Sequence, residues 1–359
     1  MSRADHAART STTDPIDEAP ARLTPRHLEE SIQVLRDVSL AVDDGRTWKV
    51  IHGALTAPES TVANARLSVI ERQLHQMLTV VSTAPPPATY VGNGLMLLPT
   101  SLGFPLIGFA DDLQLTPALV MHRQWDTPTT HLLERILRPG ERFLDIGANI
   151  GYFTVFGAML VGGTGRVHAF EANPRTAEVL RRNVRMNTVG HVCTVRDVAL
   201  GDRTGTATLH TFVGSQASST LSTLPDRLLD EWHERPREQP VSMTTLDEAF
   251  ADSDDIFSCI KMDAEGSEAR IWAGADRFFQ THVDDRTIVL LEWNPPGLTG
   301  AGADRRALLA TFARHGFMVW RRDDQLTVTR ITDVSQLDDW CNAELVLARD
   351  PARVAAVCP

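Results

Sequence analysis

Beyond residue 140 the chain alternates between two hydrophobic rhythms. Short runs dominated by apolar residues occupy 143–147, 166–171, 192–197, 256–263, 286–293, 317–322 and 343–348. Between several of them, apolar residues recur at three-four spacing over 151–161, 174–187, 267–280 and 304–315. Near-continuous apolar runs suit strands buried on both faces, and three-four spacing suits helices. Their alternation predicts an α/β fold, a seven-stranded, mostly parallel sheet with helices on both faces. A polar segment with no helical pattern joins the last two runs, which predicts a terminal hairpin and one antiparallel C-terminal strand.

Upstream the rhythm differs. Residues 1–22 lack apolar periodicity and are expected to be disordered. Thr24-Pro25 starts a helix with Leu28, Ile32, Leu35 and Val42 on one face. A capping box, Thr56 to Glu59, starts another, with a seam of Leu67, Ile70, Leu74, Met77 and Val81. That seam spans about two heptads, too short for a free coiled coil, so a helical hairpin is expected and a homodimer contact is the alternative. Pro85-Pro86-Pro87 marks a linker, and turns at Gly92-Asn93-Gly94 and Gly103 predict short strands to about Gly108. Trp125-Asp126-Thr127-Pro128 leads into a helix over 129–137. The expected organisation is a tail at 1–22, an N-terminal helical region at 23–110, the α/β domain at 111–350 and a tail at 351–359. Within that domain, 213–240 is rich in turns and polar residues and is long for a connection, which suggests a lid.

Composition narrows the partners. The 359 residues carry a formal net charge of -11, which disfavours a phosphate backbone, so no nucleic acid is expected. Arg181, Arg182 and Arg185, the densest basic cluster, read as a solvated helix face. Four cysteines without metal-ligand spacing read as reduced thiols. No apolar run is long enough to span a bilayer and no signal-peptide core is present, so a cytoplasmic location is expected.

Four stretches carry candidate chemistry. In the run Phe143 to Phe153, Asp145 stands near a strand end, Gly147 permits a tight turn and Gly151 opens a helix. Ligands of open parallel sheets bind outside the carboxyl ends of the strands. Asp145 can hold water or an ammonium there, and the amides at Gly151 can meet a carboxylate. Asn149 stands where a dinucleotide fingerprint has its middle glycine, which argues against a nicotinamide oxidoreductase. Glu171 ends the next strand, placed to accept hydrogen bonds from both hydroxyls of a ribose. Asp197 follows the third strand and is placed to read an adenine amine. In the fourth stretch Asp263 and Glu265 can deprotonate or orient a hydroxyl, and Lys261 shares the strand face of Asp263. Asp263, Glu292 and Asn294 offer three oxygens from two strand ends, enough for magnesium, although carboxylates without a metal are the preferred reading. Trp125, Ser219 and Glu292 are candidate acceptor contacts. His233, beside Trp232, reads as a solvated loop histidine rather than a base.

Together, Asp-Ile-Gly-Ala-Asn-Ile-Gly-Tyr (145–152), Ala-Phe-Glu-Ala-Asn-Pro (169–174), Ala-Leu-Gly-Asp (199–202), Thr-Thr-Leu-Asp (244–247) and Ile-Lys-Met-Asp-Ala-Glu-Gly (260–266) resemble the FkbM-type methyltransferase family. The resemblance covers about Trp125 to Asp350. It implies a seven-stranded Rossmann-like fold, S-adenosylmethionine as methyl donor, and O-methylation of a natural product, sugar or glycolipid. Carried over, Asp145, Gly147, Asn149, Gly151 and Glu171 bind the donor, and Asp263 and Glu265 face the transfer site. Tyr152, Phe153 and Ala172 lie in the same donor stretches. Ser218-Ser-Thr-Leu221 resembles the family's serine pair. An N-methyltransferase and a donor-binding scaffold protein are the competing readings. Asn294-Pro-Pro-Gly297 looks like an adenine-methylating motif, but it follows the fifth strand and lacks the aromatic.

Overall fold

The computed structural model describes residues 87–212, 215–222, 236–337 and 342–358. The two N-terminal helices, the homodimer contact assigned to them, and Trp232 and His233 lie outside the described residues.

The principal sheet contains β4 (Arg142–Ile146), β5 (Arg166–Phe170), β6 (Cys193–Arg196), β11 (Cys259–Met262), β12 (Ile288–Trp293), β13 (Met318–Arg322), β14 (Val328–Ile331) and β15 (Ala343–Ala348). Its order is β14-β13-β15-β12-β11-β4-β5-β6. The five strands from β12 to β6 run parallel, and β15 inserts antiparallel between β12 and β13. All seven expected strands form, and the sheet gains an eighth. β14 pairs antiparallel with β13, so the polar segment before β15 contains an edge strand, not a plain hairpin turn. Only Ile331 of its four residues is buried, so it has no apolar run to read.

Strand parity divides the core. Phe143 and Cys259 face α3 (Tyr152–Val161) and α4 (Pro174–Met186) on one side of the sheet. Leu144, Ile146, Ile260 and Met262 face Trp272 and Phe279 on the other. Both faces are thus covered, which is why these strands read as near-continuous apolar runs. Trp272 and Phe279 stack at 3.7 Å in the second cluster. They lie on α6 (Glu268–Ala273) and α7 (Phe278–Thr281), one expected helix broken at Gly274. A side chain at Gly274 would overlap the carbonyl of Gly201.

Three further expectations need correction. Strands β1 (Thr89–Gly92), β2 (Leu95–Pro99) and β3 (Pro105–Phe109) form where the turns place them, but they belong to the same compact unit, 86–359, as the α/β domain. Asn183 on α4 explains this: it accepts from Ile107 N at 2.6 Å and donates to Ile107 O at 2.9 Å. The unit boundary therefore falls at 85/86, not 110. The described parts of 213–240, residues 215–222 and 236–240, are largely strand rather than open lid. β9 (Ser215–Thr220) and the start of β10 (Arg237–Thr244) pair with β8 (Gly205–Phe212), and with β7 (Ala199–Leu200) they form a four-stranded sheet. Finally, Pro351–Val357 is helix α10 rather than tail, with Val354 and Val357 buried.

The remaining helices are α1 (Leu115–His122), α2 (Thr127–Ile136), α5 (Leu246–Ala249), α8 (Pro295–Gly300) and α9 (Arg305–Arg314). No helix among the described residues is long and apolar enough to cross a membrane.

Candidate functional site

A cavity of about 630 Å³ opens at the carboxyl ends of β4, β5, β11 and β12. Its position follows from the topology, since the parallel strands all end there.

One end is built mainly by backbone. The chain turns after β4 through Gly147, at φ 75°, and Asn149, at φ 50°. Any side chain at Gly147 would overlap the carbonyl of Asp263, so only glycine fits between the ends of β4 and β11. The amides of Gly147 and Ala148 both donate to the carbonyl of Phe170. Glu171 joins the next turn to this one. Its Oε2 accepts from Asn149 N and its Oε1 from Asn173 N, each at 2.8 Å. Burial pushes the Glu171 carboxyl up to about 7, and the two backbone bonds oppose that shift only in part. Phe170, Ala172, Val198 and Leu200 form the apolar wall beside it.

The other end is dense in carboxylates. Lys261 is 6 % exposed and donates to Asp263 Oδ2 at 2.9 Å. Its Nζ also sits 5.2 Å from the centre of the Phe153 ring. Facing Asp263 and Asp145 hold the ammonium charged, although burial alone would favour its loss. Past Asp263 the chain makes a second tight turn, with Glu265 at φ 49° and Gly266 at φ 92°. Glu268, fully buried at the head of α6, accepts from Ala264 N at 2.9 Å and Gly266 N at 3.3 Å. Thr220 Oγ1 on β9 donates to the carbonyl of Glu265 at 2.7 Å. A side chain at Gly266 would overlap the backbone of Gly297 on α8. The loop carrying both acids is thus held by α6, β9 and α8.

Carboxylate oxygens of Asp263, Glu265 and Glu292 lie within 4.8 Å of one another. Burial, then the charge of Asp263, pushes the Glu265 carboxyl up to about 8. Burial, with Asp263 and Glu265 beside it, raises that of Glu292 well above the ordinary range.

Most expected site residues converge on the cavity: Gly147, Asn149, Tyr152, Phe153, Glu171, Ala172, Lys261, Asp263, Glu265, Trp125, Ser219, Glu292 and Asn294 line it. Three expected donor contacts do not. Asp145 is completely buried beneath the wall, accepting from Thr154 Oγ1 at 2.6 Å, because its strand parity turns it toward α3. Gly151 packs against Leu180, and its amide donates to Ala148 O, so it offers no free donor. Asp197 pairs with Arg181 at 2.7 Å, leaving Val198, Ala199 and Leu200 to form the wall. Asn294 reaches the cavity, and its Oδ1 caps α8 by accepting from Gly297 N. The carboxylate grouped with those of Asp263 and Glu292 is that of Glu265.

Sequence reasoning missed a third group. Asp126 and Glu344 line the cavity near Trp125, and buried Arg322 lies 3.6 Å from each. Arg322 also donates to Thr129 Oγ1 at 2.7 Å. Asp126 is the N-cap of α2, in a left-handed conformation at φ 38°. Glu344, a lone acid in an otherwise apolar strand, was the available signal.

The family described as Methyltransferase FkbM domain matches residues 145–319. The chain is 30% identical over 231 residues to 31-O-demethyl-FK506 methyltransferase FkbM of Streptomyces tacrolimicus, covering 58% of this chain and 85% of that protein. It is 38% identical over 78 residues to ribosomal protein L11 methyltransferase of Chloroflexus aurantiacus, covering 21% of this chain and only 23% of that protein. Among solved structures, precorrin-6y C5,15-methyltransferase of Geobacter metallireducens GS-15 aligns with a TM-score of 0.34 at 14% identity, covering 62% of this chain and 87% of that one.

Proposed function

The chain belongs to the FkbM methyltransferase family, an S-adenosylmethionine-dependent class, and from that premise we propose that it methylates a hydroxyl oxygen of a natural product, sugar or glycolipid. The observation that carries the oxygen acceptor is the placing of Glu265 and Asp263 at one end of a cavity whose other end holds Glu171. The relative named for 31-O-demethyl-FK506 supports the same choice.

The residues fit the donor. Glu171 has spare acceptor positions for two ribose hydroxyls, since each of its oxygens accepts one backbone bond. Phe170, Ala172, Val198 and Leu200 supply an apolar slot for a purine. The acids of the far end suit the donor's two positive charges. When bound, the donor supplies an already activated methyl group.

The protein's own contribution is alignment and one proton transfer. Asp263 is anchored by Lys261 at 2.9 Å. Glu265, pushed up to about 8, is the base in its ionised form, taking the hydroxyl proton onto its carboxylate. A raised carboxyl is the stronger base, and its ionised fraction grows as pH rises through about 8. Lys261 fixes Asp263 and does not itself move a proton, because its surroundings keep it protonated. Trp125, Asp126 and Glu344 form the acceptor wall, with Arg322 fixing the two acids from behind.

The test is a panel of hydroxylated and amine acceptors, assayed for S-adenosylhomocysteine release and for a one-methyl mass gain. Transfer to hydroxyl compounds and not to matched amines is expected. Transfer to amines alone overturns the oxygen reading.

A further inference from the structure

We propose that Asp263, Glu265 and Glu292 together hold one divalent cation of the oxygen-seeking kind. Three geometric facts carry this. First, the three carboxylates each direct an oxygen into one small volume, no two more than 4.8 Å apart. A point central to three oxygens that far apart lies at most about 2.8 Å from each, just beyond the usual distance from calcium to a carboxylate oxygen, so one ion can touch all three after a contraction of a few tenths of an ångström. Second, the trio is short of cationic partners. Among the described residues, Lys261 is the cationic side chain that pairs with this trio, and its bond goes to Asp263. Glu344, the next acid along, has Arg322. Third, two buried oxygens here lack any donor. Glu292 Oε2 is sealed from solvent with no hydrogen-bond partner, and so is Oε2 of the fully buried Glu268, which is fastened to the amides either side of Glu265. A buried, unpartnered carboxylate oxygen is costly, and a cation meets that cost where no donor does.

The ligand type narrows the ion. Three carboxylates, without nitrogen or sulfur, select calcium, manganese or magnesium over zinc or copper. The wide spacing suits the two larger ions, and magnesium requires the trio to contract further. The trio spans two strand ends, β11 and β12, and is framed by the Gly266–Gly297 contact. A cation there lowers the pKa of a hydroxyl placed against it. That last role rests on the oxygen-acceptor reading above; the site itself does not.

The test uses manganese alone on the full-length protein, with no donor and no acceptor present. Loss of the free-ion electron paramagnetic resonance signal should report about one bound ion per chain. Glu265→Gln and Glu292→Gln should each weaken that binding at least about tenfold. Both variants remove repulsion between acids, so they should fold, which circular dichroism checks. Asp284→Asn, at a surface ion pair, is the control and should bind as the native protein does. Manganese should also raise the melting temperature of the native protein and not of Glu265→Gln. Absence of binding at millimolar manganese, or undiminished binding in both glutamine variants, overturns the site. S-adenosylhomocysteine affinity, measured in chelator, separates the two ideas: its loss sinks the methyltransferase site and leaves the cation site standing.

Discussion

The two ends of the cavity are built on opposite plans. At the Glu171 end a single carboxylate has both oxygens bonded to backbone amides, and the neighbouring wall is apolar. At the Glu265 end, three carboxylates share one lysine, and buried oxygens go without partners. The first end is satisfied before any ligand arrives. The second is completed by what it binds. A site for a common donor benefits from a rigid, finished cradle, since preorganisation lowers the cost of binding. A site that must take up a proton benefits from groups held away from their resting charge. The difference teaches which residues to disturb, and what each disturbance should read.

Gly147 is where the two plans touch, and its replacement should have the largest effect. A methyl group there would overlap the Asp263 carbonyl, and φ at this position is 75°. Neither backbone can yield without moving β4 or β11. Gly147→Ala should cost about 3 kcal/mol or more in urea unfolding and remove S-adenosylhomocysteine binding together with turnover. A stable variant that keeps donor binding would mean that the two ends are not locked through this contact.

The second disturbance separates the ends. Glu265→Gln keeps the shape of the turn, because its carbonyl still accepts from Thr220 and the Glu268 clamp is untouched. Turnover on the acceptor found by screening should fall about 10²-fold or more, while S-adenosylhomocysteine affinity changes less than about threefold. An equal fall in both would show that Glu265 belongs to the donor cradle.

The same contrast explains what was legible beforehand. Near-continuous apolar runs and three-four spacing exposed the seven strands and most helices, because a sheet covered on both faces leaves an apolar signature in each strand. The acids at 171, 263 and 265 stood out because each breaks such a signature at a strand end. Asp145 breaks it too, yet parity buries it against Thr154, and parity relative to a cavity is set by tertiary packing. Asp197 was misplaced for a related reason: Arg181, on α4, draws it outward. Arg322 was invisible because its partner Thr129 lies 193 residues away, and nothing local marks such a contact. β14 was missed because an exposed edge strand needs no apolar run.

The third disturbance uses pH. With its carboxyl pushed up to about 7, Glu171 is mostly protonated at pH 6 and mostly ionised at pH 8. Ribose hydroxyls donate best to the ionised form. Donor affinity should therefore rise about tenfold from pH 6 to pH 8 in calorimetry. In Glu171→Gln the affinity should be weaker and flat across that range. The linked stability has the opposite sign. A carboxyl whose folded pKa lies above its unfolded value of 4.5 favours the fold at low pH, and that contribution fades as pH rises through about 7. A pH-independent donor affinity in the native protein would remove Glu171 from the ribose contact.

The smallest disturbance tests whether Asn294 belongs to either end. It lines the cavity, but its side chain is spent on the first turn of α8, accepting from Gly297 N at 2.9 Å. Losing such a cap costs about 1 kcal/mol. Asn294→Asp keeps the cap oxygen and adds a charge beside Glu292, whereas Asn294→Ala removes the cap alone. Asn294→Ala should therefore lower stability by about that amount and leave manganese affinity within about twofold of native, since a ligand change would cost far more. Gly297 packs against Gly266, so a small rise in mobility around Glu265 should accompany the lost cap, visible as faster amide exchange at 264–267. If manganese affinity instead falls tenfold in Asn294→Ala and is restored in Asn294→Asp, the residue is a ligand, and the carboxylate end draws on four side chains rather than three.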